Sequence, residues 1–333
     1  MVGVYKNQSI NRITKGFTIS DVQIIPQIEK VSYKDVCLDT RLTKNINMKI
    51  PFIPSPMDSV MNVSIAMKVL GVGGVPIICI NKKNVQSGID IFNEVLNKSQ
   101  QKNHIGVSIA SGRDNIKTIE SIIDKVDVIA IDSLHYNPTE MLQTIDFIKN
   151  EYGWIDVISG NVTNAEDARR VIESGADAVR IGMTDNSINK ATELFGCGRK
   201  QGSTLYECKE IADNYNIPII CDGGIGDVKD MPKAIALGAS SIMMGRQFAA
   251  IFESTASIID VGGKMMKYYR GMSRKDIVDE MVPVESVPKL IEMSGLFDDV
   301  INNWINVLKI VIAKSGQNSV EELRCKSLLE LIV

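Results

Sequence analysis

The chain has 333 residues, 44% of them hydrophobic and 23% charged, enough apolar material for a large core and too much for a disordered polymer. Its formal net charge of -3, with no long run of lysine and arginine, excludes the electrostatic footprint that nucleic acid demands, so no nucleic-acid partner is expected. Apolar stretches such as 71–80 fall far short of the roughly 20 residues that cross a bilayer, and the opening MVGVYKNQSINR has no apolar signal core, so no membrane contact and a cytoplasmic location are expected.

At roughly 150 residues per domain the length allows two domains or a single α/β barrel with extensions, and periodicity decides between them. Residues 1–48 precede the first apolar run. Eight short runs rich in isoleucine and valine then predict strands at 49–54, 74–80, 105–110, 127–132, 155–160, 178–182, 217–221 and 241–245. Segments with helical spacing lie between them at 84–96, 115–126, 139–151, 165–174, 204–215 and 228–237. Continuous apolar runs are what strands buried on both faces need, and the intervening helices supply the crossovers of a parallel sheet. Eight such units predict an α/β fold, a closed (β/α)8 TIM barrel. A doubly wound open sheet would want a Gly-x-Gly-x-x-Gly turn after the first strand, which is not there. Gly175 and Gly238 each stand just past a helix and before a strand, the place of a left-handed helix stop. Past Pro288, the residues Val300, Ile301, Trp304, Ile305, Leu308, Val311 and Ile312 form one helical stripe that either covers the barrel or serves an oligomer contact.

Six cysteines (Cys37, Cys79, Cys197, Cys208, Cys221 and Cys325) without a Cys-x-x-Cys pair, and two histidines, His104 and His135, argue against a disulfide framework and a structural zinc site. No metal is expected. Cys79, Cys221, Met243 and Met244 read as core.

In a barrel of this kind the C-terminal strand ends build the site. The first strand exits into Ser55, Met57 and Asp58, the fourth into Asp132 and Ser133, and the fifth into Asn161. The seventh exits into Asp222, Gly223 and Gly224, and the eighth into Gly245 and Arg246. The last two loops are the usual phosphate grip of the fold, because glycine lets backbone N–H groups approach an anion closely. Asp222 can accept hydrogen bonds from vicinal hydroxyls, as on a ribose; the alternative is that it caps a helix and the glycines make only a tight turn. The long loop 183–202 carries Asp185, Asn186, Ser187, Asn189, Cys197, Arg199 and Lys200, and is either functional or a solvated lid. Cys197 is a candidate nucleophile there, since the charges of Arg199 and Lys200 favour thiolate; the alternative is an incidental thiol. His135 is either a ligand contact or a surface-loop histidine.

FTISDVQIIP (17–26), LDTRLT (38–43), SPMDSV (55–60), ISGNVTNAEDARRVIESGADAVRIGM (158–183), CDGGIGDVKDMPKAIALGASSIMMG (221–245) and YRGMS (269–273) stand in an order and spacing that resemble the IMP dehydrogenase and GMP reductase family. The resemblance implies a single barrel domain that binds a purine nucleotide monophosphate, usually as a homotetramer, with NAD(P) as redox partner. It implies a phosphate held by Ser187, Gly224, Gly245 and Tyr269, ribose hydroxyls on Asp222, and a base surrounded by Ser55, Met57, Gly271 and Met272, with Gly223, Arg246 and Ser273 beside them. Asp132, Ser133 and Asn161 fall where the family places cofactor and active-site polar groups. One helix follows Ile80 before the next strand, so the layout is the compact one of a GMP reductase. The domain then divides into an N-terminal extension (1–48), a barrel core (49–273), and a shortened flap with a helical tail (274–333).

The chain departs from that pattern at its chemistry. The family's loop, roughly G-x-G-P-G-S-[IV]-C-T-T-R, falls without a gap on 182–192 and puts Asn189 where the catalytic cysteine stands and Ala191 where a threonine hydroxyl stands. Hydride transfer at purine C2 needs that carbon made tetrahedral, which the family does by adding the cysteine thiolate, and an amide cannot do so. Asp185 and Asn186 replace the proline and glycine whose loop carbonyls hold potassium in the dehydrogenases, so the potassium site is expected to be lost. About ten residues separate Met272 from Val282, too few for the family's mobile flap. Three readings follow: a nicotinamide-linked purine nucleotide oxidoreductase, GMP reductase-like despite Asn189; an enzyme doing non-redox chemistry on a purine nucleotide, with Asp58, Asp132 and Asp222 as acids, bases or nucleophiles; or a noncatalytic nucleotide-binding or assembly subunit.

Overall fold

A computed structural model describes residues 14–28, 31–100, 103–132, 138–182, 196–271 and 288–332. Strand β1 (Val22–Ile24) and the hairpin of β2 (Thr40–Arg41) and β3 (Asn47–Met48) come first. Strands and helices then alternate: β4 (Phe52–Pro54), α1 (Val63–Gly71), β5 (Ile77–Cys79), α2 (Val85–Lys98), β6 (Gly106–Ala110), α3 (Arg113–Lys117), β7 (Val128–Asp132) and α4 (Pro138–Glu151). The second half continues with β8 (Asp156–Val162), α5 (Ala165–Glu173), β9 (Ala178–Ile181), α6 (Gln201–Asn214), β10 (Ile219–Asp222), α7 (Asp230–Ala236), β11 (Ser241–Met244) and α8 (Arg246–Ala249).

Strands β4 to β11 are parallel and follow one another around the sheet in the order β4-β11-β10-β9-β8-β7-β6-β5. The (β/α)8 barrel read from the sequence is therefore the fold, with a seam between β4 and β5. That seam closes around a shared interior, because Ile53 of β4 and Ile77 of β5 pack in one buried cluster with Val128, Ala130, Ile158, Ala178, Ile220 and Met243. Strand alternation puts Ile219 and Cys221 into the outer core beneath the helices while Ile220 faces in. Leu42, Ile46 and Met48 from the β2–β3 hairpin belong to the interior cluster and plug the N-terminal end. The barrel interior is a packed core.

Gly175 and Gly238 follow their helices with positive φ, as their spacing predicts. The helix expected over 115–126 is interrupted: α3 stops at Lys117, and a 3₁₀ turn spans Ile123–Lys125. Ile116, Ile119 and Ile122 recur every third residue and are all buried, and Ile119 and Ile122 each donate to the carbonyl three residues back, which selects the tighter winding. A three-stranded antiparallel sheet not read from the sequence follows the barrel: β12 (Ile258–Val261), β13 (Lys264–Tyr269) and β14 (Lys289–Glu292). Next comes α9 (Phe297–Lys314), whose Trp304 packs edge-on against Phe52 of β4 at 5.5 Å and Phe248 at 5.2 Å between ring centroids. The apolar stripe of the tail thus covers the barrel wall. After α10 (Val320–Lys326), β15 (Leu329–Leu331) pairs antiparallel with β1. Among the described residues, no helix is long and apolar enough to cross a membrane.

Candidate functional site

Alternation along β7, β9 and β10 turns Asp132, Arg180 and Asp222 to the interior at the upper end of the barrel, above the apolar layers of Ala130, Ala178 and Ile220. Arg180 Nη2 donates to Asp132 Oδ1 at 2.7 Å, and its Nε lies 3.7 Å from Asp222 Oδ2. Asn161 Nδ2 donates to the same Asp222 oxygen at 3.0 Å. Burial works against the Arg180 charge, but Asp132 and Asp222 outweigh it and hold the guanidinium firmly protonated. Burial also pushes the Asp222 carboxyl above the usual carboxylate range, with Arg180 and Asn161 opposing it. Asp222 ends a strand, and the next helix, α7, has no side-chain cap, so the helix-cap alternative for Asp222 is excluded. Arg180 Nε and Asn161 Oδ1 are buried without a hydrogen-bond partner.

The loops after β10 and β11 form the other side. Gly223 and Gly224 have φ of +86° and +74°. Below them Gln201 Nε2 donates to the Ile181 carbonyl at 2.8 Å. The Asp230 carboxylate accepts from the N–H groups of Gly226 and Asp227 at 3.0 and 3.1 Å, holding the loop's far end. Tyr269, 1% exposed at the end of β13, sets its hydroxyl 3.8 Å from Met57 Sδ, a weak acceptor. A Cβ on Gly245 would overlap that hydroxyl and approach Met57 Sδ to 3.1 Å, so glycine is required for tyrosine to reach the mouth. Burial and the Asp222 charge push the Tyr269 phenol up, with Arg246 opposing, so the group is a neutral donor.

Ser55 is buried at the β4 end, Gly271 is buried beside Arg270, and Arg246 is exposed at the rim. Arg270 Nη2 donates to Asp58 Oδ2 at 2.6 Å. Thus Ser55, Met57, Asp58, Asp132, Asn161, Asp222, Gly223, Gly224, Gly245, Tyr269 and Gly271 sit on strand ends or loops at one end of the barrel, with Arg246 opening α8 beside them. Ser133, His135, Asp185, Asn186, Ser187, Asn189, Ala191, Met272, Ser273 and the short segment leading to Val282 lie outside the described residues. Two arginines of the cluster were missed from the sequence. Arg180 carried a signal, a lone charge inside the apolar run 178–182 at an inward position; Arg270 carried none beyond its place in YRGMS.

The thiols divide by burial. Cys221 is core, as expected, and burial pushes it up to about 12, with Asp222 adding and Gln201 opposing. Cys79, expected in the core, is instead half-buried, because alternation from Ile77 brings it to the interior face at the strand end. Burial, then the charges of Asp132 and Asp58, push it up to about 12 as well. Cys197 is exposed, and the guanidinium of Arg199, expected to favour its thiolate, is engaged by Glu207 and the Thr163 carbonyl. Among the described residues no group of three His, Cys, Asp or Glu side chains could hold a metal ion.

A family model described as the IMP dehydrogenase / GMP reductase domain matches residues 16–332. The chain is similar to an inosine-5'-monophosphate dehydrogenase of Cryptosporidium parvum, 30% identical over 95% of this chain and 92% of the relative. It is equally similar to one from Borreliella burgdorferi, 30% identical over 95% of this chain and 94% of the relative. A relative of the same name from Rhodopirellula baltica is 34% identical over 66% of this chain and 43% of its own length.

Proposed function

Because the chain belongs to the IMP dehydrogenase / GMP reductase family, we propose that its barrel mouth binds a purine nucleoside 5′-monophosphate. The observation that carries this reading is the pairing, at one end of the barrel, of a buried neutral donor with a partly satisfied carboxylate. Tyr269 at Gly245 offers a hydroxyl to phosphate, and the Asp222 charge is felt at that hydroxyl while its oxygens can receive vicinal ribose hydroxyls. Gly224 and Gly245 provide close backbone approach to the phosphate, with Ser187 as an added donor.

We further propose that no thiol adduct forms. Asn189 stands at the family's cysteine position, and the one thiol on the interior face of the described mouth, Cys79, is held protonated by burial and two carboxylates. This favours a non-redox reaction, or nucleotide binding without turnover, over a GMP reductase-like oxidoreductase. Asp132 and Asn161 are the contacts a nicotinamide coenzyme would use, and the orphaned Asn161 Oδ1 fits an amide N–H. Such a coenzyme supplies hydride exchange; the residues of this chain supply position and charge. A homo-oligomer, a tetramer on the family pattern, is supported by the exposed apolar residues Ile258, Ile259, Val261 and Met265 of the β12–β13 hairpin. A cytoplasmic setting goes with the same reading.

The test is a melting-temperature and calorimetric comparison of IMP and GMP with inosine and guanosine. Binding that needs the phosphate supports the reading; no stabilisation by either monophosphate at millimolar concentration ends it. Product analysis with NADPH and GMP, and with NAD and IMP, then separates redox from non-redox chemistry.

A further inference from the structure

Gln201, the first residue of α6, is polar, 1% exposed, and engaged with backbone rather than with the mouth. Its side chain runs across the ends of two strands. Nε2 donates to the carbonyl of Ile181, the last residue of β9, at 2.8 Å, and lies 3.4 Å from the carbonyl of Asp222, the last residue of β10. A primary amide carries two N–H donors, so one nitrogen can hold both carbonyls. The register between these strands runs to the pair Cys221 and Ile181, and Gln201 continues it by one side-chain rung.

The glycines around this side chain leave it room. Gly182 and Gly224 have φ of +144° and +74°. A Cβ on Gly182 would come within 2.8 Å of Gln201 Nε2, and one on Gly224 within 2.8 Å of its Cγ. On another side of Gly224 stands Ile19, fully buried, with Cδ1 3.2 Å from where the same added Cβ would be. Ile19 belongs to the N-terminal segment tied to α6 through Phe17, whose N–H donates to Ser203 Oγ at 2.7 Å and whose carbonyl accepts from the Ser203 N–H at 3.1 Å. Gly224 is therefore backed by Gln201 and by Ile19, both buried and both anchored to α6.

A phosphate contact at Gly224 needs its N–H aimed at the anion, and a donor contributes most when it is already in place. We propose that Gln201 is a positioning residue of the phosphate site, holding the end of β10 to β9 so that the Gly223–Gly224 turn presents the Gly224 N–H to the anion. The inference rests on the reading of this mouth as a nucleotide site and names the residue that keeps its phosphate turn in place. Methionine at 201 would keep the length and lose both N–H donors, leaving the two strand ends free to part. A shift of about 1 Å is enough to forfeit most of what an oriented contact contributes.

Calorimetric titration with IMP and inosine, which differ only in the phosphate, tests this. Gln201→Met is expected to weaken IMP about tenfold and inosine less than about threefold. A residue that only holds the fold together would move both ligands alike or neither, and either result from a folded Gln201→Met chain overturns the inference. Hydrogen exchange on the wild-type chain needs no variant, so misfolding of the substituted chain leaves the test intact. There IMP is expected to protect residues 219–226 and the first turn of α6 together, and protection of 219–226 alone also overturns the inference. If IMP binds the wild-type chain no more tightly than inosine, the phosphate reading fails and this role with it. If IMP keeps its full advantage over inosine in the variant, the role alone fails.

Discussion

The guanidinium of Arg180 reaches Asp132 at 2.7 Å and faces Asp222 at 3.7 Å, so one side chain on β9 spans the carboxylates of β7 and β10 at the barrel mouth. Arg180 is 5% exposed and Asp132 is 31% exposed, which screens the pair little and makes the loss of the cation expensive. Arg180→Met is expected to destabilise the fold by about 3 kcal/mol, since two carboxylates would face each other without a counter-ion. Urea unfolding measures it. Asp132→Asn in the same background is expected to recover part of the loss, and an additive double mutant would show that the pair is not coupled.

How much of this was legible in the sequence follows from what each feature depends on. The strands were readable because each is buried on both faces and so is apolar throughout, and the alternation of strand and helix left few topologies. The glycines of the mouth were readable by their place after a strand. The Arg180 network was not, because a contact between β7, β9 and β10 is set by barrel closure, and local pattern carries no information on which strand ends meet. The β12–β14 sheet was missed for a similar reason. Its strand β12 is exposed on every residue, so it lacks the buried face that gives a strand its period. Cys79 was misread because periodicity placed it in an apolar run, while depth along the strand decides whether an inward residue meets core or mouth.

Asp222 links stability to pH. Burial raises its carboxyl above the ordinary 3.8 despite Arg180 and Asn161, so between those two values the folded chain binds more protons than the unfolded one. Its stabilising contribution is complete below 3.8 and is lost as pH rises through the folded value. Asp222→Asn, which cannot ionise, is expected to melt about 1–3 °C above wild type at pH 7. Its Tm should also decline less than that of wild type between pH 4 and pH 7. Nucleotide affinity is expected to fall about tenfold or more, because a charged acceptor of two hydroxyls is gone. Melting scans across pH, with and without nucleotide, measure both. A variant that melts lower at every pH would show that Arg180 outweighs burial.

Lys267 is 1% exposed, and its ammonium donates to the carbonyls of Phe252, Ser254 and Ala256 at 2.9, 3.3 and 2.9 Å. It shares a face of β13 with Tyr269, two residues on, so the loop it gathers fixes the strand that delivers the tyrosine. Lys267→Met leaves those carbonyls without their donor and is expected to lower stability by about 1–3 kcal/mol. Monophosphate binding is expected to weaken more than nucleoside binding, since Tyr269 serves the phosphate. Thermal melting and paired titrations measure the two effects. Equal weakening of both ligands would confine Lys267 to a structural role.

The absence of a reactive thiol can be measured directly. With Cys79, Cys208 and Cys221 each pushed up to about 12, chiefly by burial, about one such thiol in ten thousand is ionised at pH 8. Exposed Cys197 and Cys37 lack that burial, so iodoacetamide at pH 8 is expected to label them first by mass spectrometry. Asp132→Asn removes one of the two charges acting on Cys79 and is expected to speed its labelling several-fold, while Cys221, which feels Asp222 instead, stays unchanged as an internal control. If Cys79 in the wild-type chain instead labels as fast as Cys197, the mouth contains an activated thiolate after all. Covalent attack on the purine would then return as the chemistry to pursue, from β5 rather than from the loop that carries Asn189.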